Sequence, residues 1–365
     1  MKYYLIAGEA SGDLHGSNLI KAIKQQDAQA ALRCWGGDLM RQAGATVVKH
    51  YRDLAFMGFV EVVKHLGTIL KNLRFCREDI TQYAPDVLVL IDYPGFNLRI
   101  AEWAKKQGIK VCYYISPQIW AWKENRINQI KQSVDKMLVI LPFEKDFYQK
   151  HLFPVTYVGH PLTQVVDEAL QKPIQPLAAK PIIAVLPGSR QQEIKRKLPV
   201  MLAMVPLFPD YQFIIAQAPG QPAGFYQQFL KGKDVQLVQG QTYNLLGQSV
   251  AALVTSGTAT LETALFGVPQ VVCYKGNPLS YLVAKKLIKV QYISLVNLIL
   301  DKPAVRELIQ QDLNVATLKT ELYALLHDRE RQETLQLDYT KLWELLSGQP
   351  ASDAAAKEVV ALAGK

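Results

Sequence analysis

A carboxylate at the end of an apolar run is the first feature of this 365-residue chain that could do chemistry. Asp92 closes the run VLVLID (87–92), and the Tyr-Pro-Gly that follows forces a tight turn. A carboxylate at the end of a buried strand has a raised proton affinity, which suits a general base. The alternative role for Asp92 is to cap a helix that begins near Phe96.

Residue types that bind phosphate occur in the second half of the chain. In LPGSR (186–190) a strand runs into a helical pattern. The backbone at Gly188, the cap residue Ser189 and the guanidinium of Arg190 could therefore bind an anion together. The alternative is a plain strand-to-helix turn with an arginine at the surface.

The segment SGTATLE (256–262) favours a nucleotide site. Its small residues let backbone amides approach a pyrophosphate, and its hydroxyls can donate to one. The expected nucleotide-binding residues of this turn are Ser256, Gly257, Thr258, Ala259 and Thr260. One turn into the helix, Glu262 can accept hydrogen bonds from the two ribose hydroxyls. Its alternative role is that of a favourable charge in a first helical turn.

The loop GEASGD (8–13) resembles a glycine-rich phosphate loop but contains two acids, Glu9 and Asp13. Negative charge disfavours phosphate, whereas carboxylates accept well from sugar hydroxyls. We therefore expect Glu9, Ser11, Gly12 and Asp13 to line the acceptor side of a cleft. Two alternatives stay open, because the acids could cap the next helix and Glu9 could brace Asp92.

Two other residues follow strand ends in the first half. Trp120, in SPQIWAW (116–122), could stack on a sugar or a lipid, or fill space between two lobes. His160, in VGHPL (158–162), lies near the expected domain junction, where interdomain packing and substrate contact are both reasonable.

Strands and helices alternate along the chain in the pattern of parallel sheets. Continuous apolar runs predict strands at 2–8, 86–92, 110–116, 136–141 and 155–159, and again at 181–190, 211–217, 235–240, 251–257 and 269–274. Such runs indicate strands covered on both faces. In such sheets ligands bind beyond the carboxyl ends of the strands, where the candidate residues fall.

The proline-rich segment 171–181 reads as a linker between two halves. We predict an α/β protein with two doubly wound, Rossmann-like lobes. The first lobe covers 1–168, and a terminal helix at about 340–365 packs back on it. The second lobe, for a nucleotide sugar, covers 178–339.

Composition excludes several classes of function. The net charge of +9 suits an anionic substrate or a membrane surface. Nucleic-acid binding is the weaker option, because the sequence has no basic cluster with interleaved aromatic residues. Four scattered cysteines predict free thiols in a reducing compartment. No Walker or dinucleotide motif and no Asp-x-Asp pair occurs, so we expect neither cofactor nor metal. With no spanning run and no signal peptide, the chain is expected to be cytoplasmic.

The segment 56–77 has apolar residues at helical spacing flanked by cations. The default interpretation is a helix that faces the core, and the alternative is an interfacial helix on an anionic membrane. The candidate membrane contacts are Phe59, Val62, Val63, Lys64, Leu66, Ile69, Leu70, Lys71 and Arg74.

Eight segments, in order along the chain, resemble the lipid-A-disaccharide synthase family. They are GEASGD (8–13), IDYPGFN (91–97), SPQIWAW (116–122), LPFEKDFY (141–148), VGHPL (158–162), LPGSR (186–190), SGTATLE (256–262) and SLVNLIL (294–300). Two segments depart from the family's usual pattern. Tyr93-Pro94-Gly95 replaces Ala-Pro-Asp and so removes a second acid, and Val296 replaces a proline.

The resemblance implies a GT-B fold of two lobes with a cleft between them, and inverting glycosyl transfer without a metal. It implies that 2,3-diacylglucosamine passes from its UDP conjugate to the 6-hydroxyl of 2,3-diacylglucosamine 1-phosphate. Asp92 matches the family's catalytic aspartate, Arg190 and Asn297 match residues required for activity, and Asn97 lies in a matched motif.

Because the substrates implied by the resemblance are acylated, the membrane interpretation of 56–77 is favoured over the default of a helix that faces the core. The resemblance also implies peripheral association with the inner membrane. The oligomeric state stays open, with a homodimer as the candidate assembly. The alternative function is another enzyme of UDP-N-acetylglucosamine on the same fold, either a 2-epimerase or the muramyl-lipid glycosyltransferase.

Overall fold

Continuous apolar segments form the strands of two parallel sheets. The computed structural model describes residues 1–54, 66–218, 220–277, 281, 290–348 and 350–364. The chain divides into two units, one of residues 1–161 with 347–365 and the other of residues 162–346. The predicted boundaries at 168 and 178 both fall inside the second unit.

The first unit contains a seven-stranded sheet in the order β3-β2-β1-β4-β5-β6-β7. Its strands are β1 (Lys2–Ala7), β2 (Ala31–Gly36), β3 (Thr46–His50), β4 (Val87–Ile91), β5 (Lys110–Tyr114), β6 (Lys136–Val139) and β7 (Thr156–Tyr157). Neighbouring strands pair in parallel throughout. All residues of β4 are buried, as continuous hydrophobicity predicts for a central parallel strand.

Helices cover both faces of this sheet. They are Ala10–Gln26, Asp38–Gln42, Leu66–Tyr83, Pro94–Lys106, Ile119–Trp122, Ile127–Ser133, Glu144–Lys150 and Ala351–Ala363, with 3-10 turns at Tyr51–Leu54 and Glu124–Arg126. On one face, Ala355 and Val359 of the terminal helix join the core cluster of Leu19 and Ile23. The terminal helix therefore completes the first unit's own core.

The second unit contains a six-stranded parallel sheet in the order β10-β9-β8-β11-β12-β13. Its strands are β8 (Ile182–Leu186), β9 (Gln212–Gln217), β10 (Val235–Gln239), β11 (Ser249–Thr255), β12 (Gln270–Tyr274) and β13 (Arg306–Ile309). Its helices are Pro161–Leu170 (which begins at the boundary), Gln191–Leu202, Ala223–Leu230, Thr242–Leu246, Thr258–Leu265, Leu295–Leu300, Val315–His327 and Arg329–Leu346, with a 3-10 turn at Val205–Leu207.

Each sheet reverses its order at one point, between β1 and β4 and between β8 and β11. Both sheets are therefore doubly wound, and the predicted fold class is confirmed. Ligands of such sheets bind at the reversal point, beyond the carboxyl ends of the strands. The fold therefore predicts one ligand-binding position in each unit, at the reversal point of its sheet.

Candidate functional site

The reversal point of the first sheet brings Glu9 and Asp92 to adjacent strand ends. Ala7, the last residue of β1, pairs with Ile91, the last of β4. Glu9 and Asp92 follow these two residues, and the Glu9 charge contributes to raising the Asp92 pKa. Two carboxylates predicted from separate motifs are therefore neighbours.

The turn after β4 holds Asp92 in a strained backbone. Asp92 and Tyr93 have φ values of 46° and 49°, in the left-handed region that ordinary side chains avoid. Three contacts fix the Asp92 backbone: its N–H donates to Tyr114 O at 3.1 Å, and its carbonyl accepts from Tyr113 Oη at 2.6 Å and Asn97 Nδ2 at 2.7 Å. These bonds fix the backbone that carries a partly buried carboxylate at the strand end.

Burial and the charge of Glu9 raise the pKa of Asp92 to about 6. Burial is the larger cause, because a carboxylate loses solvation when it leaves water, and the backbone N–H of Tyr93 opposes the shift. An acid with this pKa is mostly ionised at pH 7, yet it is a stronger base than an ordinary aspartate. The group suits general-base chemistry.

Asn97 supports the turn instead of facing a ligand. Its side chain is fully buried, and Nδ2 donates to the carbonyls of Asp92 and Ile91, the latter at 3.2 Å. Because no surface of Asn97 is exposed, direct substrate contact does not fit this arrangement. We assign Asn97 to positioning the turn that carries Asp92.

Asp13 is likewise a structural residue here. It is buried, and its carboxylate accepts from the backbone N–H of Gly37 at 2.7 Å and of Leu39 and Met40 at 3.1 Å. Asp13 lies within the helix Ala10–Gln26 that follows its loop, so it does not cap that helix as considered. It instead satisfies N–H groups at the start of a different helix, Asp38–Gln42.

The other residues of the first loop differ in exposure. Glu9 is partly buried and Ser11 is exposed in the first turn of the helix Ala10–Gln26. Gly12 is buried, and a Cβ there would lie 3.1 Å from the Cβ of Ala7. Packing alone therefore accounts for Gly12, and Glu9 and Ser11 remain the candidates for ligand contact.

Trp120 is held by a buried carboxylate that sequence reasoning had not singled out. The indole Nε1 donates to Glu144 Oε1 at 3.2 Å, and Glu144 Oε2 accepts from the backbone N–H of Ile140 and Leu141. Burial raises the pKa of Glu144 to about 7. Trp120 stays partly buried, so its ring is oriented at the carboxyl ends of β5 and β6.

His160 is buried in the first unit with a second histidine nearby. Burial, and then the charge of His15, lowers the pKa of His160 to about 3, and burial lowers that of His15 to about 4. Both rings are neutral at physiological pH, which gives them no role as cations.

The reversal point of the second sheet brings together the two predicted phosphate-binding turns. Leu186 of β8 pairs with Val254 of β11, so the turn 187–190 lies beside the turn 256–258. Gly188 has a φ of 112°, which requires glycine. Ser189 and Arg190 are exposed, and Arg190 Nη1 lies 3.5 Å from Glu193 Oε1.

The hydroxyls of the second turn divide into two groups. Ser256 Oγ donates to the carbonyl of Ile293 at 2.8 Å, and the fully buried Thr260 donates to the carbonyl of Gly257 at 2.8 Å. These two hydroxyls support the turn and do not face outward. Gly257 and Thr258 are exposed and Ala259 is partly exposed, so they can meet a ligand at the start of the helix Thr258–Leu265.

Glu262 is partly exposed, and its Oε1 accepts from Tyr243 Oη at 2.8 Å. Burial raises the pKa of Glu262, while the Tyr243 hydroxyl opposes that shift. Tyr243 therefore fixes the orientation of a carboxylate that still has an oxygen for a ligand.

Asn297 is buried, and its side chain forms hydrogen bonds with the backbone of Val305. Its amide donates to Val305 O at 2.8 Å and to Glu307 Oε1 at 2.9 Å, while its oxygen accepts from Val305 N. Glu307 also accepts from the backbone of Ile293 and Ser294. Since Ile293 in turn accepts from Ser256, Asn297 belongs to a network that reaches the nucleotide turn.

The candidate membrane helix is described only in part. Phe59, Val62, Val63 and Lys64 lie outside the described residues, as does the side chain of Leu66. Ile69 is partly buried and packs on the core, so it is placed away from a membrane. Leu70 (56% exposed), Lys71 and Arg74 lie on the exposed face.

The described residues contain neither a membrane-spanning helix nor a cluster of metal ligands. Across these ranges, no helix is both long and apolar enough to cross a membrane. Within the same part of the chain, no cluster of three or more His, Cys, Asp or Glu side chains is arranged to hold a metal ion.

Sequence reasoning also missed Lys197, which lies beneath the turn 187–190. Its Nζ contacts Thr255 Oγ1 and lies 3.9 Å from Glu193 Oε2. The signal was present, because Lys197 occupies an inward position of a helical stripe with Ile194, Leu198 and Met201.

Comparisons with known proteins agree with the resemblance. A family model described as lipid-A-disaccharide synthetase matches residues 3–361. A lipid-A-disaccharide synthase of Trichlorobacter lovleyi is 37% identical over 98% of this chain and 96% of its own length. One from Nitrosococcus oceani is 39% identical over 99% of this chain and 96% of its own.

Solved structures with low identity share the fold. A UDP-GlcNAc 2-epimerase from Neisseria meningitidis bound to UDP-GlcNAc has a TM-score of 0.66 and 12% identity over 99% of both chains. The glycotransferase of kitacinnamycin also has a TM-score of 0.66, with 14% identity over 99% of this chain and 98% of its own. These neighbours show the two-sheet GT-B fold.

Proposed function

The chain belongs to the lipid-A-disaccharide synthase family of glycosyltransferases, and on that premise we propose the following reaction. The enzyme transfers 2,3-diacylglucosamine from its UDP conjugate to the 6-hydroxyl of 2,3-diacylglucosamine 1-phosphate. The products are a β-1,6-linked disaccharide 1-phosphate and UDP, formed with inversion and without a metal.

The observation that carries the proposal is the state of Asp92. It lies at the reversal point of the first sheet, on a strained turn, and burial raises its pKa to about 6. In the proposed step, Asp92 accepts the proton of the acceptor 6-hydroxyl as that oxygen bonds to the anomeric carbon. The bond to UDP breaks on the opposite face, and its electron pair leaves with the diphosphate. A positioned base typically accelerates such a step by about 10²–10⁴-fold.

The second sheet would hold the UDP moiety. The exposed backbone around Gly188 and Ser189, the guanidinium of Arg190 and the start of the helix Thr258–Leu265 supply donors and positive charge for a diphosphate. Glu262 would accept from the ribose hydroxyls. In the first unit, Glu9, Ser11 and Trp120 are the side chains that would contact the acceptor sugar.

Access to acylated substrates would come from the helix Leu66–Tyr83. Its exposed face combines Leu70 and Phe75 (42% exposed) with Lys71 and with Arg74, which is paired with Glu78 at 2.8 Å. An apolar and basic face of this kind binds the interface of an anionic bilayer. We infer peripheral association with the cytoplasmic face of the inner membrane.

Release of UDP tests the reaction. UDP should form from UDP-2,3-diacylglucosamine only when 2,3-diacylglucosamine 1-phosphate is present, and at the same rate with added chelator. Loss of activity with chelator would contradict the metal-free mechanism. An epimerase would instead change UDP-GlcNAc without an acceptor, and the muramyl-lipid enzyme would require a different lipid acceptor.

A further inference from the structure

The inner face of the helix Gln191–Leu202 contains a charge at a position that helical spacing assigns to the core. The buried stripe consists of Ile194, Lys197, Leu198, Met201 and Leu202. The Lys197 side chain is 3% exposed. Taking an ammonium out of water is strongly unfavourable unless the charge is paired. A lysine in this position therefore needs an explanation that packing does not give.

The Lys197 ammonium lies beneath the turn that we assign to the diphosphate. It contacts Thr255 Oγ1 at the end of β11, and a Cβ built on Gly188 would be 3.5 Å from its Nζ. An ammonium has three donors. Besides the Thr255 hydroxyl, the ammonium has the Glu193 carboxylate at 3.9 Å. Burial lowers the pKa of Lys197, and the positive charge of Arg190 is also near enough to act on Lys197 and to lower its pKa.

Glu193 is an obstacle to anion binding at the same place. Its Oε2 would be 2.9 Å from a Cβ on Gly188, so a carboxylate lies against the turn. Its Oε1 is 3.5 Å from Arg190 Nη1. Left alone, this carboxylate would repel a diphosphate and compete for the Arg190 guanidinium.

We propose that Lys197 is a positioning residue for the diphosphate of the nucleotide sugar. Its buried ammonium compensates the Glu193 carboxylate from the protein side, which reduces the repulsion between that carboxylate and a diphosphate. This inference rests on the proposed function, because that function assigns a diphosphate to the turn 187–190. What it adds to that function is a buried positive charge, on Lys197, that compensates the negative charge of Glu193.

Binding of UDP by Lys197→Met, measured by isothermal titration calorimetry, tests the proposal, with uridine as the matched ligand that lacks a diphosphate. We expect the UDP Kd to rise by at least about tenfold, because an uncompensated carboxylate then faces the diphosphate. The uridine Kd should stay unchanged. Equal losses for both ligands would indicate general damage to the fold and overturn the proposal.

A second substitution in the same chain separates charge compensation from a structural role. We expect Lys197→Met/Glu193→Gln to recover most of the UDP affinity, since the charge that needed compensation is gone. The single variant Glu193→Gln, at a partly exposed position, should bind UDP at least as tightly as wild type. If the double variant binds as weakly as Lys197→Met, or if Glu193→Gln alone loses affinity, the proposal is wrong.

The outcomes also separate this proposal from the function on which it rests. Wild-type protein that binds no UDP would overturn both. Wild-type protein that binds UDP, with an unchanged Kd in Lys197→Met, would overturn the role of Lys197 alone.

Discussion

At the scale of single residues, Asp92 combines an unfavourable environment with a strained backbone. Its pKa rises from an ordinary value of 3.8 to about 6, and a difference of that size corresponds to about 3 kcal/mol. Because the folded-state pKa is raised, this destabilisation is absent below the unfolded value and develops as pH rises through the interval to about 6. The fold tolerates the ionised group at neutral pH, as expected for a residue kept for function.

Asp92→Asn is therefore expected to separate activity from stability. The variant should lose at least about 10²-fold in kcat because an amide cannot accept the proton. At pH 7 it should unfold at a temperature no lower than wild type, since a buried charge is removed. Turnover by wild type should fall as pH drops through about 6, where Asp92 gains its proton. Near-normal turnover by Asp92→Asn would remove Asp92 from the mechanism.

The same scale provides a test of Asp13, for which spacing alone left two roles. Asp13→Ala leaves three backbone N–H groups without their acceptor, and we expect a loss of about 2–4 kcal/mol in the free energy of unfolding. Urea denaturation measures it. Gln42→Ala is the matched control, since Gln42 is exposed in the same short helix. Unchanged stability together with weakened acceptor binding would instead favour a sugar contact for Asp13.

At the scale of elements, the helix Leu66–Tyr83 presents two faces that predict opposite effects of substitution. Leu73, Cys76 and Ile80 are buried in the core, so Leu73→Ala should lose about 2–5 kcal/mol of stability. Leu70→Ser/Phe75→Ser alters the exposed face. We expect it to keep the unfolding temperature within a few degrees of wild type and to bind anionic vesicles less tightly in sedimentation assays. Vesicle binding equal to wild type would exclude this face as the membrane contact.

Elements also show why some strands were predictable and others were not. β4 and β8 are apolar at every position and buried on both faces, so hydrophobicity alone identifies them. β2 and the edge strands β3 and β13 were not predicted. In β2, Arg33 interrupts the apolar run and forms an ion pair with Asp79 on a helix distant in sequence. The two edge strands contain few buried residues.

Some residues of the candidate site were likewise predictable from the sequence, and others were not. Motifs placed Asp92 at a strand end, Arg190 in a strand-to-helix turn and Glu262 one turn into a helix. In the structure Asp92 follows β4, the turn with Arg190 follows β8, and Glu262 lies in the helix Thr258–Leu265 after β11. The burial of Asn97 and Asn297 depends on hydrogen bonds to backbone that residue type and spacing do not specify. Lys197 has a signal in the helical stripe, yet its relation to Glu193 emerges only from the tertiary structure.

At the scale of the whole molecule, the last helix belongs to the first unit, so the two units depend differently on the C-terminal segment. Ala351–Ala363 packs on the helix Ala10–Gln26 and buries Ala355, Ala356 and Val359 in the core of the first unit. Lys136, at the start of β6, forms an ion pair at 2.6 Å with Glu358 of this last helix. The second unit, residues 162–346, contains its sheet and helices without this segment.

Removal of residues 351–365 should therefore destabilise the first unit selectively. Loss of its buried apolar surface exposes Leu19 and Ile23, so calorimetry should show a transition shifted to lower temperature while a second transition is unchanged. UDP should still bind, because the proposed nucleotide site lies in the second unit, whereas transferase activity should be lost. Lys136→Met, which removes only the ion pair, is the control and should lower stability by less than about 1 kcal/mol. A truncated chain that lost UDP binding but retained the first transition would contradict this division of roles.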